Sequence, residues 1–249
     1  MMARDADQHP GPFSFFLPQQ TESAGPMRLI DTFFNARVFV ETLPLLWRGL
    51  LVTIELGVAS IVLGLVLGLV LALIRLYGPA FLQFLARIYI DIFRSIPLLV
   101  LLIVIYYALP FVGIRLSSFA SATAALTLVS GAYTAEIFRA GIEAIPRGQF
   151  EASMALGLSW RQMMTDIILP QAVKIVIPPL TNNCINVVKD TALASVVAMP
   201  DLLKQATQAQ ALAANPTPLI TAAIIYIAIL WPLVLLVSRF ERRMKVGAR

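Results

Sequence analysis

With 249 residues, 59% of them hydrophobic and only 13% charged, and a mean hydropathy of +0.82, the chain is too apolar for a soluble domain, whose charged share is about 25%. The excess of 19 Lys and Arg over 14 Asp and Glu sits in short stretches between apolar runs, so membrane topology accounts for it and no nucleic-acid partner is needed. Those runs approach the roughly 18 to 20 residues of a spanning helix, and their Leu, Ile, Val and Ala content points to an all-α polytopic membrane protein rather than a barrel.

Residues 1–28 carry Pro10, Pro12, Pro18 and Pro26 among Gln, Ser and Asp, without the basic start and apolar core of a signal peptide. They read as a mobile N-terminal extension. The single histidine, His9, falls here with no second ligand type beside it, and no metal or catalytic role is assigned to it. Over residues 29–48, Ile30, Phe33, Phe34, Val38 and Leu43 interleave with Asp31, Arg37 and Glu41, the pattern of an amphipathic helix at the membrane surface, with Trp47 and Arg48 as interface anchors. A membrane domain over 49–243 follows, and residues 244–249 form a short tail.

Five spans are expected in that domain. The first covers about 50–73, where Gly64 and Gly68 allow a close helix contact inside one protomer. The second covers about 96–109, with Pro97 near its start, where a missing amide donor does least harm. The third covers 119–137 and leads into Glu136, Arg139 and Glu143, spaced for ion pairing on one helix face. The fourth, about 171–188, carries Asn182, Asn183 and Asn186 beside Pro178 and Pro179. Amides in a membrane helix are costly unless they face protein, water or substrate. Cys184 reads as a small packing residue. Residues 189–216 are polar and Ala/Gln-rich, expected outside the bilayer or partly re-entrant, and a fifth span covers 218–237.

Between the third and fourth spans, residues 144–172 form a polar interruption. Pro146 starts a helix, Gly157 supplies a left-handed stop, and Ser159 with Gln162 forms a capping box that restarts one. The spacing thus predicts a rigid bent pair of short helices, returned to the bilayer at Pro170. With five spans and the C-terminus inside, twelve Lys and Arg lie on the cytoplasmic side against seven outside. The positive-inside tendency therefore puts the N-terminus outside and the 144–172 loop in the cytoplasm.

Glu151-Ala152-Ser153, Gly157, Ile167 and Leu169-Pro170 resemble the EAA loop, E-A-A-x3-G-x9-I-x-L-P, of ATP-binding-cassette importer permeases, with Ser153 as the one departure. YIDIFRSIPLL from Tyr89, YTAEIFRAGIEAIP from Tyr133, LPQA from Leu169 and KDTAL from Lys189 extend the resemblance over about 49–243. They make it similar to the polar amino-acid subfamily, the histidine/glutamine/glutamate/opine group. The resemblance implies a type I importer permease fold (MetI-like) in a bacterial inner membrane. Its partners would be a second permease subunit, a cytoplasmic ATPase dimer and an external substrate-binding protein. ATP and Mg would reside on the ATPase, with no cofactor on this chain.

By the same resemblance, Glu151, Ala152, Gly157, Ile167, Leu169 and Pro170 couple to the ATPase. Asn182, Asn183 and Asn186 either line the path of a polar amino acid or make interhelical hydrogen bonds. Lys189, Asp190 and Thr191 either line the outer path or brace it. Members carrying basic amino acids can have an acidic residue where Asn183 stands, so neutral polar or acidic substrates are expected ahead of basic ones. Leu101 replaces a frequent Gln, a change to which the sequence assigns no role.

No phosphate-binding loop, H-E-x-x-H or G-x-S-x-G motif occurs in the sequence, so no enzymatic activity is expected of this chain and hydrolysis falls to another subunit. The alternative is a secondary transporter or channel working without an ATPase, whose inverted halves should show paired broken helices; no internal repeat is visible.

Overall fold

A computed structural model describes the backbone of residues 31–246 and the side chains to residue 239. The expected extension over 1–28 and the end of the tail lie outside the described residues. The described residues are helical: α1 Ala36–Tyr77, α2 Ala80–Ser95, α3 Leu98–Ile103, α4 Ser118–Glu143, α5 Arg147–Ala155, α6 Trp160–Gln162, α7 Leu169–Asp190, α8 Leu202–Ala213 and α9 Thr217–Val246. Among these residues there is no strand.

The surface helix expected over 29–48 does not stand apart from the first span. From Ala36 the chain runs on as one 42-residue helix through Pro44, roughly 63 Å at 1.5 Å per residue. Asn35 caps it by accepting hydrogen bonds from the amides of Arg37 and Val38, the position where a short polar side chain satisfies otherwise orphaned donors.

The second expected span is short and bent. Residues Leu98–Ile103 pass into a π turn at Val104–Ala108 and a 3-10 turn at Leu109–Val112, and this unit turns 102° from α2 at the break before Pro97. Proline cannot continue the ladder, and the residue before it disfavours helical backbone; Ile96 is extended, with ψ 131°. The helix α2 was not expected as a separate element. Leu101 is buried with Leu56, Leu102 and Leu126 in the largest apolar cluster, which explains an aliphatic side chain there.

Among the described residues three helices are long and apolar enough to cross a membrane, Asp31–Tyr77, Trp160–Val197 and Thr217–Arg239, and the bent α2–α3 pair makes a fourth if it counts as one span. The expected third span falls in α4, which is long enough at 26 residues but buries Ser121, Ser130, Gly131 and Thr134. It sits inside the bundle against α1, α2 and α7, so protein rather than lipid meets its polar side chains. The α1–α4 crossing is tight because Gly64 faces Ser130 and Gly68 faces Thr134, where added β-carbons would stand 2.8 Å and 2.5 Å from those side chains. The glycine pair thus serves packing within one chain, as its spacing suggested.

The segment after α7 is built into the bundle. A 3-10 turn at Thr191–Val197 leads to α8, whose start packs on α1: a β-carbon on Gly49 would meet the Asp201 carbonyl oxygen at 2.9 Å. Leu202 donates its amide to Thr53 Oγ1 at 3.0 Å.

Candidate functional site

The 144–172 loop folds as two short helices around a corner. Pro146 caps α5 with extended backbone, and α5 ends before Gly157, whose φ of +73° lies in the left-handed region that glycine enters without a β-carbon clash. The capping box is present: Gln162 donates its amide to Ser159 Oγ at 3.3 Å, and Ser159 donates its amide to Gln162 Oε1 at 3.0 Å. After α6 the ladder widens into a π turn at Met163–Ile168 and then resumes as α7. Such turns add a residue to the helix and recur at functional sites; no residue pattern marks this one.

Burial divides the loop into a foot and a face. Ile145, Met163, Met164, Ile168 and Ala172 form the apolar foot, with Phe150 and Ile167 packed against it. Ser153 is buried, and its hydroxyl donates to the Gln149 carbonyl at 2.6 Å. The third motif letter is therefore the one that must be small, and serine satisfies that need by bonding back to its own helix. Glu151, Ala152, Gly157, Leu169 and Pro170 are exposed. So are Met154 at 61%, Leu156 at 80% and Trp160 at 61%, three large apolar side chains on a polar loop. They fall outside the motif letters, and their only sequence signal was apolarity where a solvated loop has little reason for it.

The loop is tied to the helices above it. Arg139 pairs with Glu136 and Glu143 along α4, as their spacing indicated. Arg75 at the end of α1 joins the group with Nη1 2.6 Å from Glu136 Oε2, a long-range partner that local spacing could not reveal. Tyr77 and Trp160 meet edge to face, with ring centroids 5.8 Å apart and planes at 89°.

The fourth-span amides divide. Asn183 donates its Nδ2 to Thr134 Oγ1 at 3.1 Å and Ser130 Oγ at 3.3 Å, so the interhelical reading applies to it. Asn183 also lines a cavity of about 360 Å3 with Leu98, Ser130, Tyr133, Asn186 and Asp190, a size within the range of about 300–1,000 Å3 for ligand pockets. Asn182 and Lys189 are exposed and do not line it. Thr191 is fully buried and donates its hydroxyl to the Val188 carbonyl, so it braces the end of α7. Asp190 is the charged residue among the lining side chains, and the Arg94 guanidinium lies 5.5 Å from the centre of the Tyr133 ring, a cation–π distance. Ser130 and Thr134 were missed as site residues; their signal was hydroxyls four apart in an apolar run.

Residues 60–246 match the family described as binding-protein-dependent transport system inner membrane component. The chain belongs to this family. The match takes in α4, the loop and the cavity, and makes this permease a membrane transport component rather than an enzyme. Among its relatives, the arginine transport system permease protein ArtQ of Bacillus subtilis (strain 168) is 37% identical over 208 residues, 83% of this chain and 95% of that one. The probable glutamine ABC transporter permease protein GlnM of the same organism is 40% identical over 169 residues, 66% of this chain and 76% of that one. The crystal structure of an amino acid ABC transporter with histidines contains a chain that is 36% identical, with a TM-score of 0.78 over 82% of this permease and 96% of that chain. An inward-facing MetNI methionine ABC transporter is similar with a TM-score of 0.66 at 25% identity, over 80% and 95%.

Proposed function

We propose that this permease carries a neutral polar amino acid across a bacterial inner membrane, driven by a separate ATPase that docks on the 144–172 loop. The relatives' names support the amino-acid class, and the cavity supports the narrower choice. A free amino acid brings one ammonium and one carboxylate of its own. Asp190 meets the ammonium, while Asn183, Asn186 and Ser130 offer hydrogen bonds to an uncharged polar side chain. A basic side chain would need a second carboxylate, and an acidic one would meet Asp190 unpaired; desolvating an uncompensated charge is costly. The observation that carries this reading is Asp190 as the charged group among the amide and hydroxyl side chains of one cavity.

Met154, Leu156 and Trp160 form the docking face, with Glu151, Ala152 and Gly157 shaping α5 and its corner, and Ile167, Leu169 and Pro170 joining it to α7. ATP and Mg act on the ATPase, two permease subunits form the membrane part, and an external binding protein delivers substrate. We place five crossings in α1, the α2–α3 pair, α4, α7 and α9, with the N-terminus outside; Arg75, Arg139, Arg147 and Arg161 near the loop support a cytoplasmic position for it.

Competition for radiolabelled glutamine uptake tests the substrate class. Asparagine and glutamine should compete well, with arginine and glutamate at least about tenfold weaker. Asn183→Asp should move the preference toward arginine. A wild-type preference for arginine would overturn the reading.

A further inference from the structure

We propose that Tyr77 and Trp160 form a second mechanical link between the ATPase-docking loop and the substrate cavity, running through α1 rather than through α7. This inference rests on the loop being the docking site. The direct connection is covalent: the loop continues into α7, which carries Asn183 and Asn186. The second runs through packed contacts. Trp160 sits at the first position of α6 and meets Tyr77, the last residue of α1. The turn after Tyr77 is held by Gln83, whose Nε2 donates to the Gly78 carbonyl at 2.9 Å.

Arg75 and Tyr77 lie two apart, so they leave different sides of the same helical turn. One reaches Glu136 on α4 and the other reaches the loop. The end of α1 is thereby wedged between the two. Further along, Gly68 lets α1 lie directly on Thr134, and Thr134 Oγ1 accepts the hydrogen bond from Asn183. Every step from Trp160 to the cavity wall is a tight helix, a close packing contact or a hydrogen bond, the kind of contiguous network that carries rigid-body displacement. Trp160 remains 61% exposed, so a partner seated on the loop can press on the ring that touches Tyr77.

Tyr77 lies outside the loop and is a positioning residue: its removal should separate ATP hydrolysis from transport without removing the docking face. The complete complex in proteoliposomes is compared for ATP hydrolysed per amino acid taken up. Tyr77→Ala and Tyr77→Leu should raise that ratio roughly threefold to tenfold, the scale of one lost aromatic edge contact. Tyr77→Phe should keep the wild-type ratio, and adding Tyr77→Ala to Trp160→Ala should change the ratio no further than Trp160→Ala alone, because the shared contact is already gone. An unchanged ratio in Tyr77→Ala and Tyr77→Leu, or additive effects in the double variant, overturns the link. Leu156→Asp, read by ATPase co-purification, separates the two ideas. If it loses the ATPase while the Tyr77 variants behave as wild type, docking stands and the α1 link fails; if it keeps both ATPase and uptake, the docking reading fails and takes the link with it.

Discussion

Gly68 on α1 lies so close to Thr134 on α4 that a β-carbon on the glycine would stand 2.5 Å from the threonine side chain and 2.9 Å from the Gly131 carbonyl oxygen. The contact brings the longest helix onto α4, whose Thr134 accepts the hydrogen bond from Asn183 on α7. Gly68→Val should force the pair apart at a cost of about 1–3 kcal/mol, the usual range for overpacking. The thermal midpoint of the purified protein in detergent should fall, and uptake should fall further because the Thr134–Asn183 hydrogen bond moves with α4. An unchanged midpoint would show that α1 and α4 pack less tightly than described.

Gly157 presents the opposite case, conformation without crowding. Its φ is +73° and no atom lies within 4 Å of an added β-carbon. Gly157→Ala should therefore cost about 1–2 kcal/mol of local strain and Gly157→Asp at least as much, while the protein still inserts. ATPase co-purification should drop in both, measured against membrane abundance. Normal association in both variants would mean that the corner does not shape the docking face.

Ser153 faces the foot of the loop. Ser153→Ala removes one hydroxyl that bonds only to its own helix, at 2.6 Å to Gln149, and should leave stability within about 1 kcal/mol. Ser153→Leu should lever α5 away from Met163 and Ile168 and weaken ATPase-dependent uptake severalfold. Equal uptake by the two variants would contradict the buried position.

Much of this arrangement was legible in the sequence, because its cues are local. The left-handed Gly157, the Ser159 capping box and the Glu136–Arg139–Glu143 spacing each depend on residues within a few positions, and each has its expected geometry. The break at Pro97 was equally local, though its 102° turn depends on how α2 packs. What stayed hidden depends on distant chain segments: Arg75 on Glu136, Tyr77 on Trp160, and Ser130 and Thr134 on Asn183. The fusion of residues 36–48 with the first span was hidden for another reason. Its polar face suggested a separate surface helix, whereas one continuous backbone ladder runs through both.

Asp201 gives a pH signature. It caps the start of α8, in the segment between α7 and α9, is fully buried, and accepts the amides of Leu203 and Lys204. Burial pushes its carboxyl up to about 6, with those amides opposing the shift, against about 3.9 in an unfolded chain. The folded protein then holds the proton more tightly, so this group's contribution is greatest below about pH 4 and is lost as pH rises through about 6. Asp201→Asn keeps a capping oxygen and removes the ionisation. Relative to wild type, its unfolding free energy should rise between pH 4 and 8 by an amount on the order of 2 kcal/mol, read as a thermal midpoint that climbs above that of wild type; a constant difference across that range would contradict the buried carboxyl.

In the proposed mechanism the loop's exposed face delivers the work of a separate ATPase to a permease that does not transport unaided. Its most direct measurement is amino-acid uptake into proteoliposomes holding the permease, with and without the ATPase, in the presence of binding protein and ATP. Accumulation against a gradient should require the ATPase and hydrolysable ATP. The same accumulation without the ATPase would contradict the account and assign the chain to secondary transport.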